Sequence, residues 1–518
     1  MKRIILLFLS LTLLCACALT KPIATPKPTP TPDYPEFPPA PTARELAVQE
    51  DWPDDGRFTL RYADDSTLNP YSCGTEANRL LCSLLFEPLI GITADFQPES
   101  ALCTEWSTSD GGVTFELTLR ENILFSDGSA MTYWDLLYSL NRAKEETSFY
   151  CERLKCISDI AWTGEKLRIT LSSPQPRFPL LLDVPIVKEG SAYSSLPVGT
   201  GPYEFHEDAD GAFLSPNPYY PETGKVPFDR IELEYFSVEE LASAFESGEV
   251  DLLVSDPGVM GQSAFAGAVR RSLPTTILYY LGLNPSSEPL SDPARRRLVN
   301  AAINRGSLAG ILGGDATLLP IHPLLPEYDE AAAKAWIPAD LSEYCIEILT
   351  EDYNGDGILE YFRDGVPTDF SFRLLVCSEN EAGTAAARSI ADDLKNKGIK
   401  TELRLLNETD FLQAVKRRDY DMFLGSMRLT ADFDLTGLFR DYGDDMLQKL
   451  AQNLRAADGE ERTMAASELC SYSAECCRII PLVFLRRVIY SRQGSVRETD
   501  PSWTDPFRNV TAWVTADK

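Results

Sequence analysis

Few side chains in this 518-residue sequence are spaced for making or breaking bonds. The only two histidines, His206 and His322, lie far apart, so a histidine metal centre or proton relay is poorly supplied. Neither a G-x-S-x-G nucleophile turn nor an H-E-x-x-H zinc motif occurs. Asp352-Tyr353-Asn354-Gly355-Asp356-Gly357 has the front spacing of a calcium loop. Position twelve of that pattern is Arg363, where a bidentate Glu is needed, so a surface hairpin is expected and no metal. Asp and Glu total 78, so carboxylates fall near one another by chance and a glycosidase dyad cannot be argued from spacing. Against these stand 48 Lys and Arg, giving a net charge of −30 and no basic domain to track a phosphate backbone. Nucleic-acid binding is excluded on that ground. Catalysis finds little support in these residues, and no cofactor or catalytic residue is expected.

One cysteine has a defined chemistry. Lys2 and Arg3 precede the apolar run Ile4–Leu14, which is too short to span a bilayer and fits a signal segment. The run ends in Leu14-Cys15-Ala16-Cys17, which resembles a bacterial lipobox, with Cys17 as the acceptor of lipid because Ala16 precedes it. Cleavage as an ordinary secretory signal after Ala16 or Ala18 is the alternative. Nine prolines follow between Pro22 and Pro41, so residues 18–51 read as a Pro/Thr-rich linker in extended polyproline II. Such a tether reaches on the order of 70–100 Å. The layout is a signal peptide and lipobox (1–17), a linker (18–51) and a folded body from about Trp52. That places the chain, lipid-anchored, on the outer face of a bacterial cytoplasmic membrane. The remaining ten cysteines contain no paired C-x-x-C knuckle, so structural zinc is not expected. Several read as small buried hydrophobes, and disulfide connectivity stays open.

The body carries one long internal echo. Residues 231–256 align without a gap on residues 401–426, at an offset of 170. Each copy runs from an alternating strand to a cap residue (Ser237 or Asn407), to an acid three residues on (Glu240 or Asp410), then through a helix to an apolar strand. Asp251 matches Asp421. The pattern predicts a βαβ-type unit used twice, hence two α/β lobes built alike. Ligands in such sheets sit beyond the carboxyl ends of strands. Ser255-Asp256 and Ser426-Met427-Arg428 are therefore cleft candidates.

Several strings together resemble one family, the family 5 extracellular solute-binding proteins, which are the peptide- and oligopeptide-binding subunits of ABC importers. The strings are Thr67-Leu68-Asn69-Pro70, Leu85-Phe86-Glu87-Pro88-Leu89, Phe115 to Arg120, Phe125-Ser126-Asp127-Gly128 and the capped helix 132–143. Further along stand Pro197-Val198-Gly199-Thr200-Gly201-Pro202-Tyr203, Asn217-Pro218-Tyr219-Tyr220, Ser247 to Asp251, Tyr279 to Asn284 and Asp292 to Arg305. They run in family order from about residue 58 to 495. Gly199 and Gly201 read as a tight, close-approach turn rather than a phosphate cradle, because no Lys-Ser/Thr follows.

The resemblance implies an α/β, two-lobed type II periplasmic-binding-protein-like fold with an extra subdomain and a hinge. Lobe I would hold residues 52–70, 190–275 and 482–518, with 71–189 as its subdomain; lobe II would hold 276–481. It implies a monomer that captures a peptide or other small solute and delivers it to ABC permease subunits by hinge closure. A bound peptide would add as a strand, with an Asp meeting its amine. Asp432 best matches that Asp and Asp434 is the near alternative. The family's Trp before this loop is replaced by Met427-Arg428, which puts the ligand class in doubt; Arg428 would either pair with a ligand carboxylate or simply be exposed. On the other lobe Tyr62, Ala63 and Asp64 would reach the cleft. Rival readings are another solute (nickel chelate, haem or oligosaccharide), a sensor, or a secreted hydrolase.

Cys17→Ala is expected to give an uncleaved or freely secreted product that no longer partitions with membranes. The native protein should incorporate radiolabelled fatty acid; absence of label would remove the anchor.

Overall fold

The computed structural model describes residues 57–63, 67–255, 265–442, 444–492 and 495–515. The signal segment with Cys17, the linker 18–51, Asp64 and Asp256 lie outside the described residues. By Cα proximity the chain divides after Ala47, and every described residue belongs to the unit Val48–Lys518. Among the described residues no helix is long and apolar enough to cross a membrane.

Three sheets organise this unit. The first is four-stranded: Phe58–Tyr62 runs parallel to Ile231–Tyr235, followed by Gly211–Pro216 and Tyr203–Asp208 in antiparallel order. The second, also four-stranded and wholly antiparallel, joins Cys103–Thr108, Thr114–Leu119, Leu167–Leu171 and Ile157–Trp162. The helix Tyr133–Ala143 packs on it, opened by the capping box of Thr132 and Asp135 that the spacing predicts.

The third sheet has seven strands built around two long ones, Ala268–Leu283 and Ile479–Arg492. At one end Ile479–Arg492 pairs with Leu252–Val254. Towards the other, Ala268–Leu283 pairs with Met422–Arg428, which runs parallel to Ser371–Cys377, itself parallel to Lys400–Leu406. The two long strands thus carry the chain between the regions expected as lobe I and lobe II. Their mutual register shifts between Pro274 and Leu278, close to the expected lobe boundary at 275/276. Proline lacks the donor a regular ladder needs, which accounts for an irregularity at that place.

The internal echo is real at the level of elements and reaches further than the sequence shows. The first copy is Ile231–Tyr235, Leu241–Ser247 and Leu252–Val254; the second is Lys400–Leu406, Glu408–Arg417 and Met422–Arg428. Ser237 and Glu240 exchange hydrogen bonds at the first helix start, and Asn407 accepts from the Asp410 N–H at the second. The helices close at left-handed Gly248 and Arg418. In each copy a further strand lies parallel to the first: Phe58–Tyr62 beside Ile231–Tyr235, and Ser371–Cys377 beside Lys400–Leu406. The matched acids do the same work. Asp251 accepts the Thr59 backbone N–H at 2.7 Å and Asp421 accepts that of Arg373 at 2.8 Å. The copies differ in one respect: Leu252–Val254 joins the seven-stranded sheet and not the sheet of Ile231–Tyr235.

The Gly199-Thr200-Gly201 turn lies against the end of the helix Glu76–Leu85. The Gly201 N–H donates to the Leu85 carbonyl at 2.9 Å, and a Cβ on Gly199 would stand 2.2 Å from that oxygen. The glycines are there for close approach, as the sequence implies.

Asp421→Ala and Asp251→Ala should each cost about 1.5–3 kcal/mol, because a buried strand N–H loses a charged acceptor. Exposed Asp419→Ala should cost no more than about 1 kcal/mol. Urea denaturation checks the difference; equal costs would mean the shared carboxylates do not tie the strands.

Candidate functional site

Two sizeable cavities lie near the predicted residues, and they divide those residues between them. A cavity of about 960 Å³ is lined by Ser426 and Met427 together with Tyr279, Tyr280, Phe411 and Phe423, all from residues 279–442. A smaller one, of about 370 Å³, is lined by Arg428, Leu429, Thr430 and Ala431. Its other walls come from the helix Glu76–Leu85, from 149–153 and 183–185, from Arg487 and from 503–508. Binding by closure needs walls from different parts of the chain, and the smaller cavity has them from all three expected regions. It is the candidate site on that ground, although the other is larger.

The helix Glu76–Leu85 shows why its wall forms. Leu80, Leu81, Leu84 and Leu85 are buried, while Glu76, Arg79 and Ser83 fall at i, i+3 and i+7 on one polar stripe facing the cavity. Glu76 accepts from Arg79 and from Arg487. Arg487 is 1% exposed in the middle of Ile479–Arg492 and also donates to the Trp503 carbonyl. Two guanidiniums stand near the Trp503 ring, Arg428 at 5.2 Å and Arg487 at 5.9 Å from its centre. Burial pushes the Glu76 carboxyl up, but Arg487, Arg79 and Arg428 together outweigh it and hold it below the usual range. Farther along the wall Arg508 pairs with Glu99 and Asp500, and Arg153 with Asp183 at 2.5 Å. Burial raises the Asp505 carboxyl, with the Ser83 hydroxyl pulling the other way.

Asp432 lies behind this wall. It is 3% exposed, lines neither of the two cavities and accepts from the Gln175 amide at 2.7 Å, the Thr430 hydroxyl and the Asp434 N–H. Asp434 accepts from Thr436 and stands 3.7 Å from Arg455; burial, then the neighbouring Asp432, raises its pKa. Around them runs a joint between 71–189 and 276–481. Glu327 lies 2.6 Å from Arg462 and 3.5 Å from Arg177, and Arg462 donates to the Asp432 carbonyl. Phe96 and Phe433, both with left-handed backbone at φ near 60° and 56°, meet edge to face at 5.0 Å. His322, fully buried, touches both rings and Phe484.

Tyr62 packs on Phe205 at 5.9 Å, and neither it nor Ala63 lines the two cavities. The Ala63 N–H and carbonyl are both taken by the Asn78 side-chain amide, at 2.8 and 2.7 Å. The Asn78 amide occupies the place a neighbouring strand would take. Among the described residues the sequence reading missed Glu76, Arg79, Gln175, Arg487, Trp503 and Arg508. Arg487 left a signal: Arg486-Arg487 interrupts the apolar run Ile479 to Tyr490, and a buried charge needs a partner. The Asp352 loop is a hairpin whose Asp352 carboxylate accepts the N–H groups of Gly355, Asp356 and Gly357. The ten described cysteines are free thiols.

The fold is that of the type II periplasmic binding proteins. Oligopeptide-binding AppA from Bacillus subtilis, solved with a nonapeptide, superposes with a TM-score of 0.63 at 17% identity, over 89% of this chain and 99% of that one. NikA from Brucella suis, solved with Fe(III)-EDTA, gives 0.71 at 17% identity, over 89% and 100%. The model for bacterial extracellular solute-binding proteins, family 5 (middle), matches residues 97–443, and the chain belongs to that family. Glutathione-binding protein GsiB of Escherichia coli (strain K12) is 24% identical over 266 residues, which are 48% of this chain and 51% of that protein. The chain thus spans about half the length of the curated relatives it matches.

His322 makes the joint sensitive to acid. Burial lowers its pKa from 6.5 to about 4, so the folded protein holds the imidazole neutral while the unfolded chain takes up the proton first. The stability this neutral His contributes is present above about pH 6.5 and is lost as pH falls towards 4. Relative to His322→Phe, the wild type should lose about 3 kcal/mol of unfolding free energy between pH 7 and pH 4. Parallel pH profiles of the two proteins would remove His322 as the cause.

Proposed function

We propose that the chain is the extracytoplasmic substrate-binding component of an ABC importer, anchored through lipid on Cys17, which captures a short peptide or similar small solute and delivers it to the permease. It binds its solute without turning it over. The observation that carries this reading is the 370 Å³ cavity walled by three separate regions of the chain. That volume is at the lower end of ordinary small-molecule sites, which run from roughly 300 to 1,000 Å³. It suits a di- or tripeptide-sized solute better than a long peptide. The ligands of those relatives, a nonapeptide, Fe(III)-EDTA and glutathione, span peptide and chelate alike.

Within this reading Arg428 is the ligand contact among the residues expected from sequence. Asp432 acts through the joint, because its carboxylate already holds the Gln175 amide. Ser426 and Met427 belong to the neighbouring larger cavity.

Native mass spectrometry of the purified protein should find a retained small solute. Short peptides should raise thermal stability as RT ln(1 + [L]/Kd), about 2.7 kcal/mol at one hundred times Kd, with no product over time. Asp432→Asn should lower stability and weaken free-amine and N-acetylated peptides alike. A selective loss of at least tenfold for the free-amine forms would instead put Asp432 on the ligand. Product formed in proportion to protein would replace binding with hydrolysis.

A further inference from the structure

Two of the described thiols, those of Cys73 and Cys82, meet where the helix Glu76–Leu85 begins. They lie nine positions apart, Cys73 ahead of the helix and Cys82 on its buried side. The chain before the helix folds back on itself: the Cys73 N–H donates to the Asn69 carbonyl at 2.9 Å, and the Cys82 thiol donates to the Leu68 carbonyl at 3.4 Å. Both sulfurs are thereby brought to one turn, and the two thiols are in hydrogen-bond contact. The residues are buried, at 0% and 4% exposure, and Cys82 also lines the candidate cavity. Thr75 stands at the N-cap but its side chain makes no cap bond, so this helix start is held by other means. The two thiols are also unequal. Contact with Cys82, then with Thr75 and the Arg79 charge, outweighs burial and holds the Cys73 thiol below the usual range, while contact with Cys73 and burial raise that of Cys82. One sulfur of the pair is thus suited to attack and the other to resolve.

We infer that Cys73 and Cys82 form a disulfide once the chain is outside the cytoplasm, and that this bond staples the start of the helix Glu76–Leu85 to the turn before it. The oxidant is a disulfide, R–S–S–R, small or protein-borne. The Cys73 thiolate attacks one of its sulfurs and expels the first RS⁻, which takes up the proton that Cys73 lost. The Cys82 thiol then attacks the Cys73 sulfur of the mixed disulfide and passes its proton to the second departing RS⁻. Two thiols give up two electrons and two protons in all, and R–S–S–R becomes two R–SH. Because the sulfurs are close in sequence, they meet while the segment is still open to an oxidant, before packing buries them. In place, the bond fixes the turn that precedes Glu76 and Arg79 on the cavity wall. The inference goes beyond solute binding and takes from that reading only the extracytoplasmic compartment.

The test unfolds the full chain with reductant, refolds it in a mixture of oxidised and reduced glutathione, alkylates it and maps its peptides. Cys73 should be found linked to Cys82, with the other described cysteines alkylated. Reduction of the linked form should lower Tm by about 2–3 °C, the size expected for closing a loop of about ten residues in a chain this long. Cys73→Ala and Cys82→Ala should each abolish that difference. The readout compares oxidised and reduced forms of the same protein, so instability from a substitution does not enter, and mapping of the wild type decides where a variant fails to fold. Free Cys73 and Cys82 after refolding, or either one linked elsewhere, would overturn the pairing. A linked pair whose reduction leaves Tm unchanged would overturn the staple. In a second arm, cells expressing the full chain are treated with alkylating agent before lysis. Both cysteines should be protected as the disulfide; both alkylated would overturn its formation in the compartment. Solute binding is judged separately by the ligand retained in native mass spectrometry, and its failure would leave a mapped Cys73–Cys82 bond standing.

Discussion

A guanidinium buried in an apolar strand must be neutralised inside the protein, and Arg487 is placed in that way. Its strand, Ile479–Arg492, is otherwise built for a core, with Leu482, Val483 and Phe484 fully buried. Leaving the charge unpaired there would cost several kcal/mol, so its partners are fixed with it. One partner is Glu76, at the start of the helix Glu76–Leu85; the other is the Trp503 carbonyl near the C-terminus. The start of that helix and the C-terminal stretch, 411 residues apart between Glu76 and Arg487, are thereby held at one point. That point is also one end of the cavity, so the demand for charge balance in the core shapes the binding wall.

The long strands give that wall its setting. Ile479–Arg492 and Ala268–Leu283 are paired with each other along most of their length, yet their outer partners change from Leu252–Val254 to Met422–Arg428. One continuous ribbon therefore belongs to both repeated units. Because Asp251 and Asp421 fasten the same kind of strand at the same place in each unit, each is stiff within itself. A hinge between the units would fall in the ribbon that joins them, where the register breaks near Pro274. The contacts that a movement there must break are those of the joint: Gln175 on Asp432, Arg177 and Arg462 on Glu327, Phe96 on Phe433.

The sequence was legible where local physics decides. The capping boxes at Ser237 and Thr132, the alternating strands, the echo at offset 170 and the close-approach glycines all follow from short-range pattern, and the structure has each of them. The family strings led to the right fold for the same reason, since they mark turns and caps. Of the residues expected at the site, only Arg428 lines the candidate cavity. Gln175 and Asp432 are 257 residues apart, and Arg487 and Glu76 are 411 apart. No periodicity encodes such pairings, because they depend on how finished elements dock. Asn78 shows the same limit in small: its amide fills both hydrogen bonds of Ala63, a substitution for a strand that composition and spacing do not announce.

The chain as a whole is strongly acidic, whereas the cavity wall sets five arginines against five carboxylates, and this bears on where selection happens. A net charge of −30 disfavours the approach of any anion. Beyond a Debye length of about 8 Å at physiological salt that repulsion is screened, so an acidic solute is slowed near the surface rather than kept away. If closure dries the cavity, as the solute-binding reading requires, its charged contacts strengthen, and the degree of drying depends on how firmly the joint around Asp432 shuts. On that reading a change in Gln175 or Arg462, which lie in the joint and not on the cavity wall, acts on affinity through the dielectric in which the wall charges are felt.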